Sequence, residues 1–163
     1  MSLRLQKSIR ETDAFYDDRP TPFTDIGAER CVLGAALASK SGVNLSVDWF
    51  DEPRHKLIAS ALLDCRRQPD DTSMAHPCAA LVVKRGQWAA AGETYVHYLL
   101  DEYGHRGATY ESDRRVLAEK QFRRTVRAWV RDIVDVVGTA SPDEMFERVR
   151  DLKRTVDAWV ANG

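Results

Sequence analysis

Ala28-Glu29-Arg30-Cys31-Val32-Leu33-Gly34-Ala35-Ala36-Leu37 is a run of small and apolar residues in which Cys31, Val32, Ala35 and Ala36 recur at helical spacing. Thr24 stands ahead of it as an N-cap, and Asp25 and Glu29 fall in the first turn, where carboxylates meet the positive end of the helix dipole. A first helix is therefore expected to end near Ala38. Ser39-Lys40-Ser41-Gly42 interrupts the pattern, and Val43, Leu45, Val47, Trp49 and Phe50 form a connector that carries aromatic bulk toward a core.

The same logic extends along the chain. Asp51 is placed as the N-cap of a second helix with Pro53 in its first turn, and Ile58, Ala61, Leu62 and Cys65 trace its apolar stripe. Gln68-Pro69-Asp70-Asp71 ends it. A third helix is expected from Ala75 to Arg85, entered through Pro77 and stopped by Gly86. A fourth is expected from Glu93 to Asp101, with Tyr95, Val96 and Leu99 facing inward. From Tyr110 to Val137 the helical pattern runs without proline or glycine, well beyond the roughly 11 residues of an average helix. Ser141-Pro142-Asp143-Glu144 then forms a capping box that opens a last helix to about Ala161. The chain should be all-α, with residues 1–23 as a polar tail, 24–109 as a compact helical bundle, and 110–163 as one long helix leading into an antiparallel hairpin.

Bulk properties narrow the function. The formal net charge of −1 gives no global basic field for coating nucleic acid, so any such binding must be local and weak. No apolar run reaches the roughly 20 residues that span a bilayer, and the N-terminus lacks a signal-peptide core, so a cytoplasmic protein with no membrane partner is expected. Cys31, Cys65 and Cys78 include no CxxC pair and read as thiols of a reducing compartment. His76-Pro77-Cys78 is the one close pair of metal-ligand type, too little for a zinc knuckle. His55, His97 and His105 read as core or surface histidines, and Gly104 and Gly107 as turn residues around His105-Arg106. No catalytic residue, metal ligand or cofactor is assigned.

Two faces of the terminal hairpin carry the interest. Phe122, Val126, Trp129, Val130, Ile133 and Val137 share one side of the long helix, and Met145, Val149, Leu152, Val156, Trp159 and Val160 share one side of the last. With Val134, Val136 and Phe146 added, each stripe is wider than a single neighbour conceals. Either the bundle covers the surplus or a partner subunit does. Val126, Trp129, Val130, Ile133, Val149, Leu152, Val156 and Trp159 are the residues expected to carry self-association. On the opposite side Lys120, Arg124, Arg127 and Arg131 stack at i, i+4, i+7 and i+11. This cationic stripe is either a solvated outer face or a contact for DNA or an acidic partner.

Ala28-Glu29 through Leu37, His55 through Leu63, Ala91-Gly92-Glu93-Thr94-Tyr95-Val96 before Leu99, and the long helix with Arg123-Arg124 together resemble, over residues 22–161, the N-terminal domain of DnaB-type replicative helicases. The resemblance implies a helical globule with a hairpin that pairs between subunits into a collar, a homo-oligomer, and docking of primase, helicase loader or helicase in the primosome. Ala91-Gly92 stands where that family tends to have two glycines, and Trp88 where a smaller aliphatic residue is usual. No G-x-x-x-x-G-K-[ST] is present to cradle a nucleotide phosphate, so this chain should not hydrolyse ATP by itself. The expectation is a non-catalytic replication module that supports a helicase or, by entering its ring, interferes with it. Its rivals are a nucleic-acid-binding regulator using the basic stripe and the helicase-binding domain of a primase.

Overall fold

Asp25, one residue later than expected, starts the first helix: its side chain accepts the Ala28 N–H at 3.0 Å. Thr24 instead shares a hydrogen bond with the Thr21 hydroxyl. The computed structural model describes residues 21–39, 44–65, 75–84 and 89–162, and among them there are helices and no strands. The helices are α1 (Ile26–Ala38), α2 (Pro53–Cys65), α3 (Ala75–Lys84), α4 (Ala89–Tyr103), α5 (Tyr110–Val136) and α6 (Pro142–Asn162), with 3-10 turns at Val47–Trp49 and Gly107–Thr109. The stops expected at Gln68-Pro69-Asp70-Asp71 and at Gly86, Trp88 and the tail up to residue 20 lie outside the described residues.

The helix α1 is buried on every side from Ala28 to Leu37, where the sequence pattern had suggested a single apolar stripe. Helices α4 and α5 pack directly against it, α2 closes on it as well, and α3 lies between α2 and α4. A helix enclosed in this way has no solvent face to keep polar, which explains its near-continuous apolar sequence. Gly34 marks its closest approach to a neighbour. A Cβ there would stand 2.4 Å from the Tyr103 Cβ and 2.7 Å from the Leu99 carbonyl oxygen of α4.

Two charged or polar side chains in this interior tie the layers together. Glu29 and His55 are both fully buried. The Glu29 Oε2 lies 2.6 Å from the His55 Nδ1, and the His55 Nε2 lies 2.9 Å from the Tyr95 hydroxyl. A carboxylate only accepts, so Nδ1 carries the proton that bonds Glu29, and the other ring nitrogen is left for the Tyr95 hydroxyl. The Glu29 Oε1 accepts the Asp51 N–H at 2.7 Å and Oε2 the Glu52 N–H at 3.4 Å. One carboxylate of α1 thus holds the loop entering α2, the first turn of α2 and, through the imidazole, α4. The cap of α2 is Glu52 rather than the expected Asp51. Glu52 accepts the His55 N–H at 2.9 Å and pairs with the Arg54 Nε at 2.7 Å.

Helix α5 serves two bodies. Its N-terminal half contributes Tyr110 and Leu117 to the core, and the Tyr110 hydroxyl donates to the Asn44 carbonyl. Beyond that it leaves the bundle and is paired with α6. The turn between them is set by the expected capping box: the Ser141 N–H donates to Glu144 Oε2 at 2.8 Å, and the Glu144 N–H to the Ser141 hydroxyl at 3.3 Å. Hydrogen bonds to the carboxylate from the Ser141 backbone N–H and then from the Ser141 hydroxyl hold the Glu144 carboxyl below its ordinary range. The cap is therefore complete at neutral pH and is lost as the pH falls through that lowered value.

Two substitutions test this packing. Alanine at an ordinary helical glycine gains about 0.5–1 kcal/mol. At Gly34 the clash is with backbone, so Gly34→Ala is expected to lower stability by about 2 kcal/mol, read as a fall in urea midpoint. Glu29→Ala strands two backbone N–H groups and the imidazole, and is expected to cost about 3 kcal/mol in the same measurement.

Candidate interaction surfaces

The apolar stripes of the hairpin meet as the helical spacing requires, but incompletely. Phe122 of α5 stacks on Trp159 of α6, with ring centroids 4.3 Å apart and planes 18° from parallel. The Arg148 guanidinium crosses to Asp132. Val126, Trp129, Ile133, Leu152 and Val156 are half-buried. Val130, Val149 and Trp159, also expected at the contact, remain 48%, 51% and 39% exposed, and Val134, Val137, Phe146 and Val160 are more exposed still. Among the described residues, every large hydrophobic side chain classed as exposed lies on this hairpin. Val130, Val134 and Val137 form one row on α5, at i, i+4 and i+7. Phe146, Val149 and Val160 form another on α6, where i+3 and i+14 return to the same side.

The basic stripe is divided. Lys120 donates to the Thr21 carbonyl. The Arg124 guanidinium donates to the carbonyls of Phe23 at 2.7 Å, Trp49 at 2.9 Å and Asp48 at 3.0 Å, with the Asp51 carboxylate 4.0 Å from its Nε. Arg127 sits over the Phe23 ring, 4.7 Å from its centroid. These side chains fasten residues 21–23 and the Asp48-Trp49 turn onto α5, a role invisible to periodicity because the carbonyls come from segments 75 or more residues away. Arg131, one turn further, is exposed. Arg124, Arg127 and Arg131 line a groove of about 500 Å³ whose opposite side includes Phe23, Thr24 and Asp51.

Among the described residues no group of three or more His, Cys, Asp or Glu side chains converges as a metal site. Cys31, Cys65 and Cys78 are buried thiols. Burial, and then the nearby Asp113 carboxylate, push the Cys31 thiol above its ordinary pKa, away from nucleophilic use. No described helix is long and apolar enough to cross a membrane.

The sequence matches no protein-family model and no curated protein. Among solved structures, the fold superposes on the crystal structure of the N-terminal domain of DnaB helicase from Mycobacterium tuberculosis with a TM-score of 0.71 and 25% sequence identity. The chain is structurally similar to a DnaB N-terminal domain. The superposition covers 83% of this chain and 99% of the mycobacterial domain, so nearly the whole of that domain has a counterpart here.

Arg124 and Arg131 separate a fastening role from a surface role. Arg124→Ala is expected to cost about 1–2 kcal/mol of stability through three lost carbonyl bonds, whereas Arg131→Ala is expected to stay within about 0.5 kcal/mol of the parent in urea unfolding.

Proposed function

We propose that this chain is a non-catalytic protein-interaction module of the DNA replication machinery, organised as a helical globule over residues 24–109 and a hairpin over 110–163. It self-associates through the hairpin and docks a primase, a helicase loader or a replicative helicase. The observation that carries this reading is the concentration of exposed apolar side chains on a two-helix projection whose fold resembles a DnaB N-terminal domain. A protein with no further use for this projection would gain by making those rows polar.

The magnitudes favour a reversible assembly. Covering a half-exposed valine or aromatic ring is worth roughly 1 kcal/mol, so seven such side chains on each of two copies supply about 14 kcal/mol, against an association cost of about 4–15 kcal/mol. The surplus is small, and the oligomer should depend on concentration.

Light scattering coupled to size exclusion tests this reading. The parent is expected to shift from monomer toward oligomer as concentration rises, and the double variant Trp129→Ala, Trp159→Ala to need about tenfold more protein for the same shift. A concentration-independent monomer for both proteins would remove self-association.

A further inference from the structure

We infer that Arg127 and Arg131 form a receptor for an acidic peptide segment of a partner protein, seated in the groove between α5 and residues 21–24. The inference deepens the docking half of the proposed function and rests on it, while being independent of self-association.

The case begins with how the hairpin's cations are used. Arg114, Arg123, Arg148, Arg150, Lys153 and Arg154 each have a carboxylate partner. Lys120 and Arg124 are spent on backbone carbonyls. Besides Arg115, which does not line the groove, Arg127 and Arg131 have neither: among the described residues neither guanidinium has a carboxylate or carbonyl partner, although like charges one helical turn apart repel each other. These same two line the groove. A guanidinium offers a planar fork of donors that suits a carboxylate, and two of them at i and i+4 match carboxylates spaced one turn apart on a partner helix. Phe23 and Ala128 give the groove an apolar wall against which the stems of such side chains can lie.

The chemistry selects a peptide over a nucleic-acid backbone. Asp51 also lines the groove, and its carboxylate opposes a continuous phosphate chain more strongly than two discrete carboxylates, which bring less negative charge past it. Two cations release too few counterions to hold a polynucleotide at physiological salt, and the net charge of −1 adds no attraction at longer range.

Fluorescence anisotropy with the full chain tests the inference, using a fluorescein-labelled peptide of Glu-Ala-Ala-Ala repeats and, in parallel, a labelled oligothymidylate. The peptide is expected to bind saturably, and Arg131→Glu, an exposed change with no packing role, to weaken it at least about tenfold. Arg150→Glu, which reverses the same charge outside the groove, is expected to leave binding within about twofold of the parent. Absence of peptide binding, equal losses in the two variants, or tighter binding of the oligonucleotide that is lost in Arg131→Glu would each overturn it. Light scattering on the same samples keeps the two readings apart: a monomeric parent that binds peptide through Arg131 loses self-association alone, and an oligomer that binds no peptide loses the groove alone.

Discussion

The bond between Glu29 and His55 is the constraint around which the bundle is arranged. A carboxylate inside an apolar helix is costly unless each of its lone pairs is satisfied, and here the donors come from Asp51, Glu52 and the imidazole, all outside α1. Once Glu29 is buried, the loop before α2 can approach α1 in only one register. The ring of His55 then presents its second nitrogen to Tyr95 and so fixes α4. Phe50, edge-on to the imidazole at 6.5 Å, fills the space beside it. Directional bonds in a dry interior supply uniqueness that apolar packing alone leaves loose, and here they do so at the junction of three elements.

The helices were legible in the sequence because their signals are local. The capping box at Ser141, the uninterrupted pattern of α5 and the apolar periodicity of α2 each need only neighbouring residues to be read, and each appears in the structure. The caps of α1 and α2 fall one residue later than expected because Asp25 and Glu52, rather than the adjacent Thr24 and Asp51, accept the N–H three residues on, and spacing alone does not choose between neighbouring acceptors. Helix α4 begins earlier and ends later than expected, since Ala89–Ala91 and Tyr103 carry no start or stop signal of their own. Spacing alone presents His55 as a core or surface histidine for the same reason: nothing within a turn of it names Glu29, 26 residues away.

The interaction surfaces divide along the same line. The apolar rows of the hairpin could be drawn from spacing alone, since an outer arm of two helices is nearly a one-dimensional object. The basic stripe could not be parsed, because spacing treats Lys120, Arg124, Arg127 and Arg131 as equivalent. Their difference is set by Phe23, Asp48 and Trp49, which arrive from the other end of the chain. Lys120, Arg124 and Arg127 fasten the chain's earlier segments onto α5, and Arg124, Arg127 and Arg131 line an open groove.

Helix α5 belongs at once to the core, through Tyr110 and Leu117, and to the projecting arm, with no break in its backbone between them. Such a rod acts as a lever. The stretch from Leu117 to Val136 is about 29 Å long, so a tilt of about 10° at its root would swing the tip by about 5 Å. Arg124 braces the rod at the point where it emerges, and whatever loads the groove beside that brace pushes on the fulcrum. Contact at the base and geometry at the far end are therefore mechanically linked, without any joint in between.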